Sequence, residues 1–240
     1  MKVYKLTYLV KNKDDFCDDD IVKYENETAT FLLYNGELNV KLKTAIKYIS
    51  EAKRIIEPII RAWEFEAEIR MGFKIIEFEL KKDVDQSLEK VKDYSDYFIS
   101  KKQDQIIISL KYPPAPTIRI SETMENIWNR YNRAKLGFGE SIQSATYYCL
   151  TVIEKQFGSR KKAANALNLD YKILSKIGEL SSTKGNSKTA RKARAINQPL
   201  SSYEKKWINY AIRNILFQLG YMEANLKTAY LNINEIPVIQ

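Results

Sequence analysis

The stretch Arg160-Lys161-Lys162-Ala163-Ala164-Asn165-Ala166-Leu167-Asn168-Leu169-Asp170-Tyr171-Lys172-Ile173-Leu174-Ser175-Lys176-Ile177 comes closest to a chemical task. Cations open it and recur along it. Between them, Leu167, Leu169, Leu174 and Ile177 have the spacing of two short helices packed face to face. Ala164 is small enough for a close helix crossing. Asn168 stands where a tight turn wants a left-handed residue, and Asp170 can cap the second helix. The pattern predicts a helix-turn-helix over 160–178. Its contact residues would be Arg160, Lys161, Lys162, Tyr171, Lys172, Ser175 and Lys176, reaching phosphates or base edges. An αα-hairpin buried in a bundle needs the same small and apolar residues, so both readings stand. The candidate reader helix holds no Arg, Asn or Gln, and Gly178 is expected to end it early.

A second candidate follows at Ser181–Arg194. Lys184, Lys188, Arg191, Lys192 and Arg194 place five cations in fourteen residues, among hydroxyls and Gly185. Hydroxyl and backbone donors can position an oxyanion while Lys and Arg neutralise it. The spacing is not that of a P-loop. A solvated loop has the same composition.

Other chemistries are excluded or weak. The chain contains no histidine. Ser-His-Asp and Cys-His catalysis, His-ligated zinc and any imidazole acid–base step are therefore absent. Asp, Glu, Lys, Tyr and metal-bound carboxylates leave other catalysis open. Asp14, Asp15, Asp18, Asp19 and Asp20 lack the calcium-loop pattern and its glycine. Glu64, Glu66, Glu68, Glu77 and Glu79 recur by twos, which scatters them around a helix. No metal site and no cofactor is expected. Cys17 and Cys149 are too far apart in sequence for a metal motif and suit a reducing compartment. Neither a signal peptide nor an apolar run of membrane-spanning length is present, so a cytoplasmic protein without a membrane partner is expected.

The charge of +9 is unevenly spread. Residues 1–116 hold 20 basic and 21 acidic side chains, and residues 117–240 hold 19 and 9. Residues 155–206 alone carry 13 basic against 3 acidic. Such an asymmetry points to a polyanionic partner, nucleic acid above all. A solubilising surface is the plainer alternative.

The elements that must position these residues divide into two groups. Residues 3–10 read as a strand. Phe31–Tyr34 and Glu37–Leu42 flank Asn35-Gly36, the signature of a type I′ hairpin. A long helix is expected from Thr44, as N-cap, to Arg70, kinked or divided at Pro58. Strands follow at 73–80, with Phe73 in the core, and at 105–111. Pro113-Pro114-Ala115-Pro116 reads as a stiff linker. Beyond it strand signals nearly vanish. Helices are expected at 121–135, 141–157, 159–167, 170–180 and 201–226. The last has Ser201 or Ser202 as N-cap and a buried stripe through Trp207, Ile208, Ala211, Ile212, Ile215, Leu216 and Leu219. The tail, with Ile233 and Ile236, either docks or adds a strand. The fold class is α+β. An N-terminal mixed domain (1–112) has a mainly antiparallel sheet and one long helix, and a linker (113–116) leads to an all-α basic domain (117–240).

The C-terminal order is a long helix through Thr146-Tyr147-Tyr148-Cys149-Leu150, a helical pair, a basic loop, then Leu200-Ser201-Ser202-Tyr203-Glu204 opening an amphipathic helix. This layout resembles the helical HEPN-type domains of bacterial defence and toxin proteins. The resemblance covers about half the chain. It implies RNA or DNA binding, or a partner role. HEPN ribonucleases carry Arg, four to six residues, then His. Here Arg191 is followed at that spacing by Asn197. The expected function is therefore a non-catalytic, nucleic-acid-associated protein. The alternatives are a His-less ribonuclease effector and an assembly subunit docking on an acidic protein, with self-association left open.

Overall fold

A computed structural model describes residues 2–16, 20–81, 110–185 and 196–236. The chain divides into two compact units, Met1–Pro116 and Thr117–Gln240. Together they make an α+β protein, with a sheet and one helix in the first unit and several helices in the second.

The first unit is a five-stranded antiparallel sheet in the order β2-β3-β4-β1-β5. Its strands are β1 (Val3–Val10), β2 (Val22–Glu25), β3 (Ala29–Tyr34), β4 (Glu37–Ile46) and β5 (Phe78–Leu80). Leu6, Tyr8, Val10, Phe31, Leu33, Leu38, Val40 and Leu42 alternate along the strands and are all buried. They form one core with Ala52, Ile56, Ile60, Trp63 and Ala67 of helix α1 (Ile49–Met71). The hairpin turn is as the sequence predicts. Asn35 and Gly36 take φ values of 48° and 74°, and the Gly36 N–H donates to the Tyr112 hydroxyl at 2.7 Å.

Three expectations for this unit need correction. Thr44 does not cap a helix, because β4 continues to Ile46, which pairs with Val3. Cross-strand pairing outweighs the local capping signal, and α1 starts at Ile49. Pro58, expected to kink or divide α1, lies inside one continuous helix. It is exposed, so the Arg54 carbonyl that its ring leaves unbonded can be hydrated. Phe73 is not core but 58% exposed; Ile75 and Ile76 are buried instead, and the strand is confined to Phe78–Leu80. Residues 105–109 of the last expected strand lie outside the described residues. Leu110 makes an isolated bridge with Phe16. Trp63 Nε1 donates to the Pro113 carbonyl at 2.9 Å, which ties the first proline to this unit.

The second unit contains α2 (Glu122–Lys135), α3 (Ile142–Phe157), α4 (Arg160–Ala166), α5 (Tyr171–Thr183) and α6 (Ser202–Glu223). Each begins at a residue whose side chain accepts a backbone N–H of the first turn: Ser121, Ser141, Ser159, Asp170 and Ser201. Ser201 and Glu204 complete a capping box. The core joins Trp128 and Tyr131 of α2, Ala145, Cys149 and Ile153 of α3, Ile173, Leu174 and Ile177 of α5, and the expected stripe of α6. Gly220 on α6 permits a close approach, since a Cβ there would lie 2.8 Å from Ile118 Cβ. The unit also holds strands that were not expected. β6 (Lys184–Gly185) and β7 (Ile196–Asn197) form a short parallel pair. α6 ends at Glu223, and the tail docks on the α4–α5 turn: Asp170 N–H donates to Leu231 O at 2.9 Å and Leu231 N–H to Asn168 O at 3.0 Å.

Candidate nucleic-acid interface

The α4–turn–α5 segment forms as two capped helices joined at Asn168, whose φ is 49°. Asp170 accepts the Lys172 N–H at 2.9 Å. Ala163, Ala164, Leu167, Leu169, Ile173, Leu174 and Ile177 are buried. Gly178 does not end α5, which continues to Thr183. Two contacts surround it. The Arg160 guanidinium occupies the space beside Gly178, where a Cβ would be 2.9 Å from Nη1. The Ser182 hydroxyl also donates back to the Gly178 carbonyl at 2.6 Å.

The candidate contact residues separate by what they touch. Arg160 is half-buried beside Gly178, with Nε 2.6 Å from Glu154 Oε1. Lys176 lies over the Trp207 ring, its Nζ 4.4 Å from the centroid. Lys184 reaches Gln198 Oε1 at 3.0 Å and Glu204 Oε1 at 3.2 Å. Burial raises the Glu204 carboxyl, but the Ser201 N–H and Lys184 outweigh it and hold the group below the usual carboxylate range. Each of these three cations has a partner within the fold. Lys161, Lys162, Tyr171 and Lys172 are exposed. Among the described residues, none of the three lysines has an ion-pair partner. Ser175 is half-buried. Lys188, Arg191, Lys192 and Arg194 lie outside the described residues; β6 and β7 bracket that segment, with Gly185 N–H donating to Gln198 O at 2.9 Å.

Three of the candidate carboxylates of the first unit have structural partners. Glu64 accepts the Phe78 N–H at 2.6 Å, and burial raises its carboxyl above the ordinary value. Glu66 pairs with Arg70, and Glu77 pairs with Lys11 and Lys74. Among the described residues no group of three potential ligands is placed to hold a metal. No described helix is long and apolar enough to cross a membrane.

Sequence reasoning missed a second surface. Asn126, Asn129, Arg130 and Arg133 recur at i, i+3, i+4 and i+7 along α2, and all are exposed. Met124, Ile127, Trp128 and Tyr131 bury the opposite side of the helix. The stripe lines an open cleft of about 410 Å³, closed by Phe138, Gly139, Glu140 and Tyr148. The Arg130 guanidinium lies 4.0 Å from the Tyr148 ring centroid and forms a forked pair with Glu140, Nη2 to Oε2 at 2.9 Å. The Ser144 hydroxyl donates to the same Oε2 at 2.6 Å. Arg130 first, then Ser144, hold the Glu140 carboxyl below its ordinary range against the effect of burial. Arg133 has no ion-pair partner among the described residues. The signal that could have found this site is the i, i+3, i+4, i+7 run itself. Net charge hid it, since it lies outside the most basic stretch.

The chain matches no known protein family, no curated protein and no solved structure.

Proposed function

We propose that this protein binds nucleic acid, gripping the phosphate backbone with its C-terminal helical unit and performing no chemistry on it. The observation that carries the reading is the exposed group Lys161, Lys162, Tyr171 and Lys172. These residues stand at the starts of two successive helices, and the lysines have no internal ion pair among the described residues. Exposed cations with no carboxylate to satisfy them attract phosphates, and the release of condensed counterions drives the association. Lys188, Arg191, Lys192 and Arg194 add four cations to the same unit in sequence.

The test is binding of labelled DNA and RNA of unrelated sequences across a salt series. Replacing Lys161, Lys162 and Lys172 by Ala should weaken all sequences alike. It should also flatten the log–log salt slope by about 0.7–0.9 for each phosphate no longer neutralised. The triple variant of Arg191, Lys192 and Arg194 reports separately on the second group. Both nucleic acids should stay intact on incubation with divalent metal. Failure of the wild type to bind at low salt overturns the reading, and an acidic protein partner then takes its place.

A further inference from the structure

The geometry points to the cleft between α2 and α3 as the binding site for one unpaired nucleotide of a nucleic-acid strand. This inference rests on the reading that the protein binds nucleic acid, and it specifies the form of that nucleic acid. The cleft volume of about 410 Å³ lies within the range of small-ligand sites. Its wall offers three kinds of group. Arg133 is an exposed guanidinium in no ion pair among the described residues, though its charge helps lower the Glu140 carboxyl, and it can take a phosphate through two parallel N–H bonds. Asn126 and Asn129 each present a donor and an acceptor, the pair that reads a base edge. Phe138 stands at the rim, 63% exposed, between Gly137 and Gly139, whose Cβ positions have nothing within 4 Å. A large apolar ring left in water on an open turn serves no core, and a stacked base would cover it.

Arg130 has a different role. Glu140 and the Tyr148 ring fix its guanidinium in place, so it forms a rigid floor rather than a second free anchor. Among the described residues, Glu140 is the one carboxylate lining the cleft, and its charge is already met by Arg130 and Ser144. With that pair neutral, the cleft keeps the single positive charge of Arg133. One phosphate, one base face and one base edge are the recognition features of an unpaired nucleotide. A base inside a duplex has both faces stacked and its pairing edge occupied, so Phe138 would find no partner there. An acidic protein would use Arg133 but gain nothing from Phe138.

The experiment compares short labelled single strands with their duplex, at one salt concentration, by fluorescence anisotropy on the full chain. The expected result is tighter binding of single strands. Phe138→Ala should weaken single-strand binding by roughly ten-fold or more and leave duplex binding unchanged, as removal of one base–aromatic stack does. Phe138→Trp should keep the affinity, and its emission should be quenched on binding. The native tryptophans, Trp63, Trp128 and Trp207, are buried and give a steady background. Arg133→Ala should lower the salt slope by about 0.7. Phe138 and Arg133 are both exposed, so folding should survive each change. Single-strand binding unaltered by Phe138→Ala, or equal affinity for single strand and duplex, overturns this inference and leaves the phosphate-binding reading standing. No binding of either form overturns both.

Discussion

Both helix pairs of the C-terminal unit divide their cations between packing and contact, but sequence charge points to only one of them. In α4–α5, the most basic neighbourhood by sequence, Arg160 fills the space beside Gly178 and Lys176 covers Trp207. Lys184, just beyond, clasps Gln198 and Glu204. In α2–α3, which charge counting passes over, Arg133 faces an open cleft beside Phe138 and two carboxamides. A cation can be a packing group or a contact group, and net charge does not say which. What decides is whether an aromatic face, a helical glycine or a carboxylate lies within reach inside the fold. Long cationic side chains cover apolar surface as readily as they meet phosphates.

The largest effect that separates the two pairs should come from overpacking one of them. Ala164 is buried in α4, and Ala164→Leu should cost about 1–3 kcal/mol. The melting temperature should fall by several degrees, while strand binding well below it keeps its dependence on Phe138. An unchanged melting temperature would show that α4 is not tightly packed there.

A smaller effect sharpens the contrast within α5 itself. Lys172 and Lys176 are one turn apart, and only Lys176 lies over an indole. Lys176→Ala should cost about 0.5–1 kcal/mol of stability and leave nucleic-acid affinity intact. Lys172→Ala should weaken binding and move stability by no more than about 0.5 kcal/mol. Thermal melts and a salt titration on both variants check the pair. Equal behaviour of the two would erase the distinction between packing and contact cations.

Local rules made much of the fold legible in advance. Asn35-Gly36 demanded its turn, Asp170 and Ser201 demanded their helices, and the α6 stripe was plain from its spacing. Errors arose where a distant partner overruled a local signal. Thr44 looked like a cap, but Val3 holds Ile46 in the sheet. Gly178 looked like a stop, but Arg160, eighteen residues earlier in sequence, fills its vacant side. The candidate site was less legible for the same reason. Lys161 and Arg160 are adjacent in sequence and alike in charge, yet a helical glycine and Glu154 take only Arg160 inward. The α2 stripe was visible as a helical polar face. Only the cleft, closed by a turn and a neighbouring helix, distinguishes it from any solvated face.

The smallest expected effect tests the central case of the comparison, the Arg160–Gly178 contact. Glycine inside a helix costs about 1 kcal/mol relative to alanine, so Gly178→Ala alone would ordinarily stabilise α5. Here the new Cβ would fall 2.9–3.2 Å from the guanidinium atoms of Arg160. The guanidinium is the far end of a flexible side chain and can swing away, but it then leaves Glu154. A part-exposed pair of this kind contributes up to about 1 kcal/mol. The two effects nearly cancel, and Gly178→Ala should change stability by no more than about 0.5 kcal/mol. Removing the arginine removes the conflict. In an Arg160→Ala background, Gly178→Ala should recover most of the helical gain, about 1 kcal/mol. Denaturant titration of the four proteins gives the coupling directly, because contacting residues depart from additivity where separate ones do not. A Gly178→Ala effect identical in both backgrounds would place Arg160 away from Gly178 and return it to the set of cations available for phosphate.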